Sequence, residues 1–207
     1  MKIFGDLNSG NCLKVKYTAD FLRLPYEWIA VDITRGEAKT PAFLAMNPAG
    51  QTPVVDFGAG RYLAQSNAII RHIARNSPLL PDDAWSQAKI DEWLFWEQYS
   101  HEPYVAVCRF HMVYKGQPKE TRDPLRVERG EAALDLMERH LGSSPCTLSG
   151  RPSEARARSF LVGETFTIAD IALLAYTRVA HEGGFDLATR PNLRRWIGRC
   201  ETALGLT

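Results

Sequence analysis

Residues 47–73 read NPAGQTPVVDFGAGRYLAQSNAIIRHI, and the order of signals in this stretch sets the architecture. Thr52-Pro53-Val54-Val55-Asp56-Phe57 predicts a strand that begins at a proline, which is tolerated there because the missing N–H is not needed before the ladder starts. Gly58-Ala59-Gly60 supplies a turn, and Arg61-Tyr62-Leu63 predicts a second strand, so the two form a hairpin. From Gln65 to Asn76 the pattern becomes helical, with Ala68, Ile69, His72 and Ile73 on one face. The stretch is therefore a ββα unit.

On its N-terminal side, Lys2-Ile3-Phe4-Gly5 predicts a short strand and Asn8-Ser9-Gly10-Asn11 a turn. A helix then runs from about Cys12 to Leu22, with Val15, Ala19 and Leu22 at i, i+4 and i+7, and Pro25 stops it. Glu27 to Asp32 alternates as a strand, and Pro41 to Met46 predicts a short helix. The order βαβα before ββα implies a right-handed parallel crossover, then a hairpin, in a mixed sheet with helices on its faces. Asn76 to Asp82 carries two prolines and reads as a linker. Beyond it the strand signals stop. Helical patterns cover about Trp85–Val113, Arg122–Leu141, Thr167–His181 and Pro191–Glu201. In the third of these Ile168, Ile171, Ala172, Ala175 and Val179 recur at helical spacing. The expected domains are 1–78, of mixed α+β class, and 84–207, all-helical. Ser143 to Ser159, rich in Ser, Pro, Gly and Arg, predicts an exposed loop.

A net charge of +1 without basic or acidic blocks argues against a nucleic-acid or membrane-surface partner. No apolar run approaches the ~20 residues of a membrane span, and Met1 to Asp6 lacks the apolar core of a secretory signal. Cys12, Cys108, Cys146 and Cys200 are scattered, without a CxxC pair, which speaks against a zinc site or a disulfide framework. A reducing cytoplasm is the default expectation for such a chain.

Four places carry candidate chemistry. Ser9 lies between strand and helix, where its hydroxyl can cap the helix or donate to an anion such as a thiolate. Thr52-Pro53 is either a plain trans strand start or a cis turn that presents the Thr52 backbone to a peptide-like ligand. Gln65-Ser66-Asn67 opens a helix, with Ser66 as an N-cap or as one wall of a carboxylate site. Thr167-Ile168-Ala169-Asp170 has the spacing of a capping box, which makes Asp170 a folding residue. The helix beyond Asp91 is rich in aromatics, among them Trp93, Phe95, Trp96, Tyr99, Tyr104 and Phe110. Most suit a core or an interface, and Tyr104, Cys108 and His111 are the candidates to line a hydrophobic pocket. His101 reads as a polar surface residue. Cys12 reads as a buried thiol, or as one activated by the helix start.

The run Ser9-Gly10-Asn11-Cys12-Leu13-Lys14-Val15, then Asn47 to Val54, Gln65 to Ile69, and Phe160 to Ile171, resembles the cytosolic glutathione transferases of bacterial type across essentially the whole chain. The resemblance implies a thioredoxin-like glutathione-binding domain followed by an all-α helical bundle. It aligns Ser9 with the catalytic serine of the theta and delta classes and makes Asn11 a second polar group near the sulfur. Thr52 would pair with the cysteinyl backbone of glutathione ahead of a cis Pro53. Gln65 and Ser66 would hold the γ-glutamyl end, while Gln51 and Lys39 serve the glycyl end. Gln65 stands where the family usually has Glu or Asp, and Lys39 is only the nearest basic candidate. The beta class uses a cysteine near this turn, which keeps Cys12 in view. The resemblance thus implies a cytoplasmic homodimer that conjugates glutathione, its co-substrate, to a hydrophobic electrophile held between the domains, without a metal. The alternatives are a glutathione-dependent disulfide or peroxide reductase, and a non-catalytic binding or scaffold protein.

Overall fold

The structure, a computed structural model, describes residues 1–143 and 158–206. They divide into two units, Met1–Leu80 and Pro81–Thr207, and the division falls within the proline-bearing stretch Asn76 to Asp82.

In the first unit the elements run β1 (Lys2–Gly5), α1 (Gly10–Phe21), β2 (Glu27–Ala30), α2 (Pro41–Met46), β3 (Val54–Asp56), β4 (Tyr62–Ala64) and α3 (Ser66–Ile73). The sheet order is β2-β1-β3-β4: β1 pairs parallel with β2 and antiparallel with β3, and β3 pairs antiparallel with β4. Register sets Ile3 opposite Val55 and Phe4 opposite Val54. Successive side chains point to opposite faces. One face puts Val54 with Val31, Ala38 and Phe43, and Phe4 and Met46 pack against them. The other face buries Ile3 and Val55, with Cys12, Val15 and Ala19 of α1 and Ile69 and Ile70 of α3 also removed from solvent.

Two local features set where α1 begins and β3 starts. A Cβ on Gly5 would lie 3.0 Å from the Cys12 sulfur and 3.0 Å from the Trp28 ring, so glycine lets α1 pack close on β1 without either side chain having to give way. The predicted strand from Thr52 shortens to Val54–Asp56, because Pro53 has no N–H to give the ladder. On α3 the buried positions are Ser66, Ile69 and Ile70, while Ala68 and His72 are exposed, so the apolar face is rotated from the one predicted.

The second unit contains α4 (Ala84–Trp96), a π-helical turn at Glu97–His101, α5 (Glu102–Val113), α6 (Pro124–Gly142), α7 (Ile168–Thr177) and α8 (Pro191–Leu204). The single helix expected over Trp85–Val113 is thus interrupted. Pro103 explains it: proline lacks an N–H and its ring clashes with the carbonyl four residues back, so the regular ladder cannot run through. The π turn carries His101 inward, where it is fully buried, which corrects the surface placement. Its Nε2 lies 3.0 Å from Thr177 Oγ1, whose own hydrogen goes to the Leu173 carbonyl at 2.7 Å, so the ring nitrogen is the donor.

Every residue of α7 from Ile168 to Thr177 is buried, which suits a helix packed on several sides by α4, α5 and α8. Asp170 completes the predicted capping box. Its carboxylate is buried and accepts from Thr167 N (3.0 Å), Thr167 Oγ1 (3.1 Å), Leu161 N (2.9 Å) and Trp196 Nε1 (2.8 Å). One side chain therefore joins α7, α8 and the segment before them. Most of the predicted loop from Ser143 to Ser159, with Cys146, lies outside the described residues.

Candidate functional site

Ser9 occupies the N-cap of α1 with extended dihedrals (φ −86°, ψ 119°), yet its side chain makes no capping hydrogen bond. Its carbonyl accepts from Leu13 N at 2.9 Å, the first bond of the helical ladder. The N–H groups before Leu13 have no carbonyl one turn back within the helix, and the first turn holds no acidic residue. The positive end of the helix is thus not neutralised by its own side chains.

The hydroxyl instead neighbours the Cys12 thiol, which is also within reach of the Thr52 side chain and of Asp6 N at 3.4 Å. Burial pushes the Cys12 thiol above its ordinary range and outweighs those hydrogen bonds. At neutral pH Cys12 is therefore a protonated packing group that stands behind Ser9 and Thr52.

A second helix start lies alongside. The N-cap of α3 is Gln65, not Ser66, and Gln65 has φ +69° and ψ 108°. A non-glycine residue held at positive φ costs of order 1–3 kcal/mol and clusters where ligands bind. Ser66 becomes the first helical residue and is buried. Its hydroxyl donates to Asn11 Oδ1 at 3.1 Å, and the Lys14 ammonium donates to the same oxygen at 2.8 Å. Asn11 thus bridges the starts of α1 and α3. Lys14 is fully buried and adds a positive charge under both. Lys14 is not among the site residues expected from the sequence. The signal was its i+3 spacing from Asn11, which puts both on one helix face.

The Thr52–Pro53 peptide is cis. Among the described residues the turn and loop backbone hydrogen bonds use neither the N–H nor the C=O of Thr52. Just before it, Asn47 Nδ2 donates to Gln51 O at 2.8 Å and Lys39 Nζ donates to Ala49 O at 3.1 Å. Gly50, at φ +59°, makes room for Lys39: a Cβ there would sit 2.6 Å from Nζ. Lys39 and Gln51 therefore flank one turn. Ser9, Asn11, Thr52, Pro53, Gln65, Ser66, Gln51 and Lys39 all belong to the first unit.

The pocket candidates lie in the second unit and do not form one group. The Tyr104 hydroxyl accepts from Arg129 at 3.4 Å, under its guanidinium. Cys108 is buried, its thiol pushed up by burial. His111 Nδ1 lies 2.8 Å from Gln117 Oε1. Cys108 and His111 share a cavity of about 300 Å³ with Gln117, Thr121, Arg122, Asp123 and Arg126. Among the described residues no cluster of three or more His, Cys, Asp or Glu could hold a metal, and no helix is long and apolar enough to cross a membrane.

A sheet of order β2-β1-β3-β4 with a cis-proline before β3, followed by a separate helical unit, is the architecture of a thioredoxin-like domain joined to a helical one. The sequence carries the assignment further: a model of the glutathione S-transferase N-terminal domain matches residues 8–76, and one of the glutathione S-transferase C-terminal domain matches 119–199. The chain belongs to the glutathione S-transferase family. It is 45% identical to a crystal structure of glutathione S-transferase from Pseudomonas fluorescens, with a TM-score of 0.87 over 97% of this chain and 94% of that one. It is 31% identical to glutathione S-transferase 3 of Zea mays over 95% of this chain and 86% of the relative. It is also 26% identical to the transcriptional regulator URE2 of Saccharomyces cerevisiae, of whose length it spans 63%.

Proposed function

We propose that the chain conjugates the thiolate of glutathione to an electrophile, with Ser9 as the donor that stabilises the sulfur. The observation that carries this is the Ser9 hydroxyl at the start of α1, in the capping position but not capping. A free thiol has a pKa of about 8.5 and is mostly protonated at pH 7. A hydrogen bond to a charged group contributes roughly 1.5–3 kcal/mol, which lowers the thiol pKa by about one to two units. The α1 dipole and the buried Lys14 ammonium act in the same direction. The thiol proton leaves to solvent. The sulfur lone pair then forms the bond to carbon, and the leaving group departs with its electron pair. Ser9 donates throughout and is not itself the nucleophile.

Glutathione would lie across the face of the first unit. Its cysteinyl backbone pairs with Thr52 ahead of Pro53, as an added strand would. Its γ-glutamyl carboxylate meets the Ser66 hydroxyl and the first-turn N–H groups of α3. The Ser66 hydrogen rests on Asn11 in the free protein, and a carboxylate would draw it over. Gln65 contributes polar contacts at the same end, and Lys39 and Gln51 flank the turn suited to the glycyl carboxylate.

The protein acts as a homodimer in the cytoplasm. Trp85, Phe95 and Tyr99 are 76%, 74% and 82% exposed, more aromatic surface than a monomer usually shows to water. The free thiols Cys12, Cys108 and Cys200 suit a reducing compartment. The reductase reading draws no support from Cys12, whose thiol is buried and protonated. Incubation with glutathione and a chloronitrobenzene, followed by mass spectrometry, is the test. The thioether should form at a rate proportional to enzyme, and its absence would overturn the proposal.

A further inference from the structure

The helical unit holds a cationic side chain, Arg122, that makes no ion pair among the described residues. Arg122 donates from Nε to the Lys119 carbonyl at 3.1 Å and from Nη1 to the Gly183 carbonyl at 3.0 Å. One face of its guanidinium lies over the Phe185 ring, 5.5 Å from the centroid. Among the described residues Arg122 has no carboxylate within ion-pair distance, and three of its five N–H donors lack a partner. Two carbonyls and a ring fix the group in place but do not neutralise it. A half-buried guanidinium with donors left over and no carboxylate in ion-pair range is suited to an anionic ligand that supplies the charge-assisted hydrogen bonds.

The space for such a ligand is the cavity of about 300 Å³ lined by Cys108, His111, Gln117, Thr121, Arg122, Asp123 and Arg126. Its volume is at the lower end of small-molecule sites. Two arginines face one carboxylate there, and that carboxylate is engaged. Asp123 caps α6 through Leu125 N at 2.9 Å and lies 3.8 Å from Arg126 Nε. Arg126 is further held by the Pro103 carbonyl at 2.8 Å. His111 gives its Nδ1 hydrogen to Gln117 Oε1, since an amide oxygen can only accept, so the Gln117 amide nitrogen stays available as a donor. A neighbouring cavity also touches Arg122 and is lined by Lys119, Glu120 and Glu128 as well, but neither glutamate comes within ion-pair distance of Arg122.

We propose that the cavity between α5 and the start of α6 is a binding site for a small organic carboxylate or sulfonate, its acid group on Arg122 and its body toward Cys108. The binding site itself is argued from the second unit alone, whereas its use by an acceptor rests on the transferase reading, since Cys108 and His111 are also the candidate pocket residues. The shared chemistry has two sources, an acidic acceptor molecule or a separate acidic effector.

The test is titration calorimetry of the full chain with benzoate, and with benzamide as its neutral counterpart. Benzoate should bind saturably, one per chain, more weakly as salt rises, and at least about tenfold more tightly than benzamide. Arg122→Gln should abolish that preference. Because Arg122 also holds two carbonyls, Gln117→Glu serves as a second variant. It keeps the acceptor for His111 and adds a negative charge at an exposed rim position, and should weaken benzoate by a similar factor. Equal binding of benzoate and benzamide, or benzoate affinity unchanged in Gln117→Glu, would overturn the proposal. Competition against the chloronitrobenzene would assign the acid to the acceptor, and inhibition without competition would assign it to an effector.

Discussion

Replacing Asp170 by alanine removes the acceptor for four hydrogen bonds at once. Leu161 N, Thr167 N and Trp196 Nε1 are left behind with the Thr167 hydroxyl, around a carboxylate that is fully buried. A lost N-cap alone costs about 0.5–2 kcal/mol. Each buried donor left without a partner costs about 1–3 kcal/mol more, discounted where the first turn of α7 relaxes or water enters. The expected loss is about 3–5 kcal/mol, at the upper end for a single substitution. At about 2–4 °C per kcal/mol for a chain of this size, the melting temperature should fall by roughly 10 °C. Asp170→Asn keeps one oxygen for Leu161 N and Trp196 Nε1 but turns an NH2 toward the Thr167 N–H, and should lose about half as much. Urea unfolding followed by tryptophan fluorescence and circular dichroism measures both. A loss below about 1 kcal/mol for Asp170→Ala would refute the view that this carboxylate ties α7 to α8.

Ser66→Ala should weaken glutathione binding by roughly 1–3 kcal/mol, read by titration calorimetry, and unchanged affinity would reduce Ser66 to a packing residue. Burial holds the His140 imidazole below its ordinary pKa of 6.5, while Nε2 donates to the Leu161 carbonyl at 2.9 Å. A group whose folded pKa is depressed in this way is neutral in the fold, and the unfolded chain takes up the proton first. Stability from His140 is therefore present above about pH 6.5 and declines as pH drops below it. His140→Gln should flatten that decline in pH-dependent melting, and parallel profiles would contradict it. Sedimentation at micromolar concentration should give twice the chain mass, and a single-chain mass would end the homodimer reading.

Much of the first unit is legible because its signals are local. The Gly58-Ala59-Gly60 turn has φ of +81°, +53° and +72°, and the two glycines that tolerate such values lie between the hairpin strands in the sequence. Capping by Asp170 is readable from spacing alone. What spacing does not carry is the choice between neighbouring caps. Gln65, not Ser66, takes the N-cap because the chain leaves β4 at positive φ, a consequence of how β4 and α3 meet. The π turn at Glu97–His101 had a visible cause in Pro103, but an aromatic pattern that continues through it reads as one helix. The Asn11–Ser66 bridge joins residues 55 apart, and such pairings appear only once α1 and α3 are packed. Arg122 has no sequence signal at all, since an arginine that makes no ion pair looks like any other until its partners are known.

Stabilisation of the glutathione thiolate by Ser9 is tested most directly by the ultraviolet absorbance of that thiolate, titrated against pH with glutathione bound to the wild type, Ser9→Ala and Cys12→Ala. The wild type should hold the bound thiol about one to two units below the free value of about 8.5. Ser9→Ala should return it most of the way, with conjugation at low pH reduced in proportion and glutathione affinity little changed. Cys12→Ala should titrate like the wild type, because its own thiol is buried and pushed up. If Ser9→Ala titrates like the wild type while Cys12→Ala loses the shift, the assignment of the sulfur site to Ser9 is contradicted.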